Sequence, residues 1–287
     1  MKVSYGRRVF LLCNTLLMLF VIFCTLYPFY YSIIASFSDP IALSKVKGML
    51  WLPIKPFTLD AYKAILSHPL IVSGFLNSIL ITVFGTFLNI VFTMLCAYFL
   101  ALDGPLLKNI IGFMVVFTMY FSGGLVPDYL NVKSLGLMGS TWALIIPGLI
   151  STYNMIIMRT AFRAVPQSLS ESAILDGASH ITVLTRVMIP LCKATIAVLV
   201  LYYAVAHWNS WFGASIYLRD KSKYPLQLIA RNFLASPSLI GAGAESARYV
   251  ELLKYALVMI VSAPIIFIYP FIQKYFAKGV MIGAVKG

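Results

Sequence analysis

The chain has 287 residues, of which 61% are hydrophobic and only 11% charged, with a net charge of +13. A soluble domain carries about 45–50% apolar and about 25% charged residues, so a water-soluble globule and a disordered chain are both poor fits. The basic excess reflects scarce acids, 9 against 22 Lys and Arg, rather than a basic patch on a polar face, and this argues against nucleic-acid binding.

Six charge-free windows of at least 19 residues account for most of the chain: 9–38, 64–102, 109–127, 134–158, 194–218 and 255–273. A helix of about 20 residues, rising ~1.5 Å per residue, crosses ~30 Å of hydrocarbon. The windows therefore predict an all-α, multi-pass membrane protein with six transmembrane helices. A transmembrane barrel would alternate apolar and polar residues, and runs such as Ile79-Leu80-Ile81-Thr82-Val83-Phe84 do not.

In chain order, residues 1–8 form a short basic tail and the first helix is expected over Val9–Ser36. Its charge-free stretch exceeds the ~7–15 residues of a signal-peptide core, and no clear cleavage site follows, so it is expected to remain as a span. Asp39–His68 is polar and carries Pro40, Pro53 and Pro56. The second helix lies within Ile71–Leu102, before the Asp103-Gly104-Pro105 turn. The third lies within Asn109–Leu130, interrupted at Ser122-Gly123-Gly124 and Pro127. The fourth is expected over Trp142–Thr160, the fifth over Ala194–Phe212 and the sixth over Tyr255–Tyr275. Residues 1–70 read as an N-terminal helix with an outer segment, and 71–287 as the transmembrane domain proper, with a loop at 161–192.

Lysine and arginine divide evenly between the two sides, so their count does not orient the chain. Arg7 and Arg8 abut the first span, whereas Lys45 and Lys47 lie well beyond its far end, and this favours cytoplasmic termini. No phosphate loop, H-E-x-x-H or G-x-S-x-G motif is present, so ATP binding in the phosphate-loop mode is excluded and no catalytic machinery is visible. The four cysteines have no metal-binding spacing and read as small buried hydrophobes. The span cores lack Asp, Glu, Lys and Arg, and His207 is their main titratable group. That weighs against an ion-coupled secondary sugar transporter, which would work without an ATPase. A membrane enzyme of glycan assembly would need a carboxylate or histidine cluster, and none stands out.

The 161–192 loop is the most informative segment. Ser168 and Glu171 fit a capping box that starts one short helix, and Gly177 after Asp176 fits its end. A second short helix is expected over about Ser179–Met188, with Pro190 stopping it. Glu171-Ser172-Ala173, Gly177-Ala178 and Val187-Met188-Ile189-Pro190 resemble the EAA loop of ABC-importer permeases, and Asp176 is typical of the carbohydrate-uptake (maltose-type) branch. Ser172, Val187 and Ile189 are mild departures. Further matches over about 70–287 are Ala97-Tyr98, Leu135-Gly136-Leu137 before Trp142, Trp208-Asn209, Pro225-Leu226, and Gly279 to Gly287 at the close. Phe121-Ser122-Gly123-Gly124-Leu125 resembles the LplC/YtcP-type oligosaccharide subgroup and the alginate-importer permeases.

The resemblance implies a permease subunit of an ATP-driven importer in the bacterial cytoplasmic (inner) membrane. It implies partners as well: a second homologous permease, two ATP-binding subunits that hold ATP and Mg, an extracytoplasmic solute-binding protein, and an oligosaccharide. It implies no cofactor in this chain. Glu171, Ser172, Ala173, Asp176, Gly177, Ala178 and Pro190 are expected to couple to the ATPase. Aromatic faces and amides suit a sugar path, for which Asn77, Tyr120, Tyr153, Asn154, Tyr203, Trp208, Asn209, Trp211 and the Gly123-Gly124 break are candidates; an interfacial aromatic belt is the alternative reading. Ala235–Ala247, rich in Gly, Ala and Ser, suits insertion into the binding protein. The basic outer segments suit an acidic, uronate-type oligosaccharide through steering.

Overall fold

The computed structural model describes residues 5–43, 45–46, 48–236 and 247–284. Among them every regular element is helical, as the composition predicts: in hydrocarbon a lone segment meets its backbone hydrogen-bonding needs only as a helix. The helices are α1 (Tyr5–Ser36), α2 (Pro40–Leu43), α3 (Asp60–Leu66), α4 (Pro69–Ala101), α5 (Lys108–Tyr120), α6 (Leu125–Ser134) and α7 (Thr152–Arg163). They continue with α8 (Gln167–Leu175), α9 (His180–Val183), α10 (Ile189–Leu191), α11 (Lys193–Trp208), α12 (Phe212–Tyr217), α13 (Leu226–Ala235) and α14 (Ala247–Ala284).

Among the described residues three stretches are long and apolar enough to cross a membrane: Tyr5–Ser36, Pro69–Ala101 and Val250–Pro270. Two more qualify only as broken spans. Thr141–Gly148 and Thr152–Arg163 meet at 49°, and His180–Leu191 and Lys193–Trp208 at 88°. The fourth expected helix is therefore not continuous. Pro147 lacks an N–H and Gly148 favours non-helical backbone, so 141–148 forms two short 3-10 turns before the chain breaks. In the third expected span α5 stops after 13 residues, ~20 Å of helix. Extended backbone at Phe121 and Gly124 at φ 89° separate it from α6.

The chain forms two compact units. One joins residues 1–71 with 230–263. In it Tyr31 meets Tyr255 edge-on at 5.5 Å, His68 meets Phe233 at 5.1 Å, and the Ser36 and Tyr62 hydroxyls lie 2.7 Å apart. Within α1 only Ile34, Ala35 and Ser36 are buried. The second unit joins 72–229 with 264–287. Its core gathers Ala97 and Leu100 of α4, Met155, Met158 and Phe162 of α7, Val183 and Leu184 of the 161–192 loop, and Leu199 of α11. Residues 237–246, which contain most of the expected insertion loop, and residues 285–287 of the closing motif lie outside the described residues.

Candidate functional site

The 161–192 loop forms a two-helix knob at the Ala101 end of α4. Helix α8 starts two residues earlier than the capping-box reading requires. Pro166 occupies the N-cap with no side-chain cap, so Ser168 lies inside the helix. The fixed φ of proline (−56° here) sets up the first turn. Glu171 is thereby freed from capping; it is exposed and has no hydrogen bond or ion pair among the described residues.

The helix ends as expected. Gly177 has φ +84°, its N–H bonds the Ile174 carbonyl at 2.9 Å, and the Ala178 N–H bonds the Ala173 carbonyl at 2.9 Å. This pair of bonds is a Schellman motif. It turns Ala173 and Ala178 inward onto the core while Ser172, Asp176 and Gly177 stay exposed, with Leu175 at 88%.

Ser179 caps α9, its Oγ accepting the Thr182 N–H at 3.3 Å. Pro190 does not stop this second helix. A π turn over Leu184–Met188 precedes it, with the Ile189 N–H bonding the Leu184 carbonyl, and the helix runs on to Leu191. The wider turn supplies the room that the proline ring needs against the preceding carbonyls. Cys192 marks the break.

The knob is pinned to the spans. The Tyr98 hydroxyl lies 3.3 Å from His180 Nδ1, the Tyr98 ring meets Phe162 edge-on, and Arg159 Nε donates to the Leu100 carbonyl at 3.1 Å. A cavity of about 430 Å³ lies between the knob and the span ends, with Asp103, Arg163, Glu171 and His180 in its wall. At this end Lys108 hydrogen-bonds Asp103 at 2.9 Å, and holds that carboxyl below its ordinary value.

A larger cavity, about 830 Å³, lies among α4, α7, α11 and α14. It brings together four of the expected sugar-path residues: Tyr153, Asn154, Trp208 and Asn209. Tyr202, Tyr269 and Thr82 also line it, and the Thr82 hydroxyl is buried without a partner. These three are absent from the sequence-derived set, because nothing in their local spacing distinguishes them from ordinary span residues.

The other expected path residues are placed elsewhere. Tyr203 is buried and staples helices, accepting the Ser151 N–H at 3.1 Å and lying 2.7 Å from Thr93 Oγ1. Trp211 packs on the Ala214–Leu218–Leu228 cluster. Tyr120 is 75% exposed, and neither it nor Gly123 and Gly124 lines the cavity. Asn77 donates to the Ser222 and Tyr224 carbonyls at 2.7 and 3.2 Å.

A polar ladder missed by the sequence reading supports the broken fourth span. Asn89 is fully buried; its amide donates to the Gly148 and Leu149 carbonyls at 2.7 and 2.9 Å, and its Oδ1 lies 2.6 Å from His207 Nε2. With both amide hydrogens committed, Nε2 carries the proton. Gly85, one turn before Asn89, admits the His207 ring, since a Cβ there would lie 2.5 Å from Nε2. Gly85, Asn89 and Thr93 repeat at i, i+4, i+8 on α4, facing Tyr203 and His207 at i, i+4 on α11. The unwound backbone over residues 148–151 is thus hydrogen-bonded from two sides.

At the Pro69 end of α4 a third recess, about 350 Å³, is lined by Asn77, Phe84, Thr141 and Trp142. The 3-10 turn at Lys221–Lys223 adjoins it. Asp220 caps this turn, accepting the Ser222 N–H at 2.9 Å, and that bond holds the Asp220 carboxyl below its ordinary value.

No protein-family model matches the chain. It is 41% identical over 284 residues to Protein LplC of Bacillus subtilis (strain 168), covering 98% of this chain and 96% of that one. It is 39% identical over 276 residues to the polygalacturonan/rhamnogalacturonan transport system permease protein YtcP of the same organism, covering 94% and 96%. Among solved structures it matches a bacterial ABC transporter involved in import of the acidic polysaccharide alginate. The TM-score is 0.88 and the identity 30%, covering 96% of this chain and 99% of that one. An all-helical chain with long apolar helices, full-length likeness to these transporters and the same backbone course belongs to the sugar-transport permeases of the ABC transporters.

Proposed function

We propose that this chain is one permease half of an ATP-driven importer that moves an acidic, uronate-type oligosaccharide from an extracytoplasmic binding protein into the cytoplasm. It works with a second, homologous permease and two ATPase subunits, which supply ATP and Mg chemistry that this chain lacks. The chain crosses the inner membrane six times with both termini cytoplasmic, and α5 with the Gly123-Gly124 break and α6 makes the third crossing. Three supports carry the acidic substrate: YtcP's polygalacturonan, the alginate transporter's cargo, and the basic residues Arg219, Lys221 and Lys223 beside Asp220.

The observation that carries the coupling role is the free Glu171 carboxylate on a knob pinned to the span ends. Glu171, Ser172, Asp176 and Gly177 form its exposed docking surface, Ala173 and Ala178 seat it, and Pro190 shapes the helix that returns to the membrane. Tyr153, Asn154, Trp208 and Asn209 form part of the sugar path. Because Glu171 bonds nothing among the described residues, Glu171→Ala should leave the yield and melting temperature of the permease unchanged. The co-purifying ATPase should fall at least about tenfold, as expected for loss of one partly desolvated charge pair. Undiminished ATPase recovery, or ATP-independent uptake by the isolated chain, would overturn the reading.

A further inference from the structure

We propose that the recess walled by Phe84, Trp142, Asn77 and Thr141, beside the Lys221–Lys223 turn that Asn77 holds, is a binding subsite for one uronate residue of an acidic oligosaccharide. The inference deepens the importer reading and rests on it. It assigns to this half of the pore a sugar contact at the Pro69 end of α4, away from the 830 Å³ cavity.

The recess combines the three elements that an acidic sugar needs. Its aromatic wall is open: Trp142 is 47% and Phe84 55% exposed. Aromatic faces cover the apolar C–H face of a pyranose while leaving its hydroxyls free. Polar groups sit beside them in the Thr141 hydroxyl and the Asn77 amide. Both Asn77 amide hydrogens are committed to the Ser222 and Tyr224 carbonyls, which leaves Oδ1 as an acceptor for a sugar hydroxyl. The cation requirement is met by the adjoining turn. None of the residues lining the larger cavity is charged, so a carboxylate finds no cation in its wall.

The basic turn is fixed rather than floating. Asn77 holds Ser222 and Tyr224, and Ser78 Oγ accepts the Leu226 N–H at 2.8 Å. One turn earlier Gly74 lets the loop close onto α4, since a Cβ there would lie 3.3 Å from Leu226 Cα. Gly74, Asn77 and Ser78, at i, i+3 and i+4, make one helix face that grips residues 222–226. Lys223 Nζ donates to the Gly139 carbonyl at 3.0 Å, two residues before Thr141, and joins the turn to the Trp142 side of the recess. Lys221 is exposed and has no partner among the described residues, so its ammonium is available to a ligand. The neighbouring Asp220 carboxylate is occupied with the Ser222 N–H. At about 350 Å³ the recess lies at the lower end of the ~300–1,000 Å³ range of small-ligand sites.

The test uses the assembled transporter in lipid nanodiscs, titrated with trigalacturonic acid and, as the neutral probe, maltotriose. Tryptophan emission should change saturably with the uronate and not with maltotriose. Lys221→Gln should weaken uronate binding about threefold to fivefold, as for one exposed charge pair. Trp142→Ala should weaken it at least fivefold in a calorimetric titration. Should Trp142→Ala fail to assemble, Trp142→Phe keeps a ring: it should bind within about threefold by calorimetry while losing the emission change. Equal binding of the two oligomers, or uronate binding indifferent to both Lys221 and Trp142, would overturn the subsite. ATP-driven uptake of trigalacturonic acid by wild-type proteoliposomes is scored separately. Its absence would overturn the importer reading, whereas uptake that persists with unaltered half-saturation in Lys221→Gln would overturn the subsite alone.

Discussion

Replacing Asn89 by leucine should destabilise this permease more than any other single change at the broken span. The side chain makes three hydrogen bonds, two to the carbonyls of Gly148 and Leu149 and one to His207. Measured hydrogen bonds between membrane helices average ~0.6 kcal/mol and reach ~1.7, so losing three costs about 2–5 kcal/mol. Two orphaned carbonyls at ~1–3 kcal/mol each fall in the same range. Leucine is similar in size to asparagine, so the cost is polar rather than a cavity. Reversible unfolding by sodium dodecyl sulfate in mixed micelles measures it. Deuterium exchange at residues 150–154 should rise in step, while exchange in the buried Ala97–Leu100 turn should not. A loss below about 0.5 kcal/mol, or exchange that rises uniformly, would refute the claim that Asn89 holds the break.

Gly85→Ala should reproduce part of that loss, about 1–3 kcal/mol, because the new methyl lies within 2.5 Å of His207 Nε2 and pushes the ring from Asn89; the same unfolding assay checks it, and His207→Ala combined with Gly85→Ala should add little to His207→Ala alone. Gly177→Ala has open space for its methyl but keeps φ at +84°, so it should cost about 1–2 kcal/mol of backbone strain at the knob. Gly177→Asn should recover much of it, read as ATPase co-purification. Asp103 titrates below its ordinary value because Lys108 bonds its charged form, so its contribution to stability is present above the usual carboxylate range and is lost as pH falls through the lowered value. Lys108→Met should therefore flatten the acid side of the stability curve below about pH 4, and an unchanged curve would show the pair contributes nothing.

How much of this was legible depended on whether a feature is local. The all-helical class followed from charge-free windows alone, and the Gly177 turn from one glycine after a short amphipathic run. Where the sequence misled, a second local signal competed with the one chosen. Ser168 reads as an N-cap, but Pro166 starts the helix two residues earlier, and Pro190 reads as a stop although a π turn accommodates it. Pro147-Gly148 lies inside a charge-free window, so hydropathy conceals a break that backbone chemistry imposes. The ladder of Asn89 and Thr93 with Tyr203 and His207 is beyond the reach of local pattern, because its two sides are more than a hundred residues apart and meet only through packing. For the same reason local sequence puts Tyr203 and Trp211 among the sugar-path candidates, whereas the Tyr203 hydroxyl bonds Ser151 and Thr93 and Trp211 packs on the Ala214–Leu218–Leu228 cluster. In the sequence Trp142 stands out only as part of a motif, and its neighbours across the recess come from α4.

The 88° bend at Cys192 makes α9, α10 and α11 a crank. The arm, His180–Leu191, is 12 residues or ~18 Å long and stands nearly square to the shaft, Lys193–Trp208. A displacement of the arm's tip perpendicular to both arm and shaft turns the shaft about its own axis rather than sliding it. A turn of ten degrees corresponds to only about 3 Å of travel at the tip of an arm of that length. The residues that line the large cavity from Val200 to Asn209 are all on that shaft or at its end. By this geometry a stroke of a few ångströms at the knob would change which faces of α11 the cavity sees.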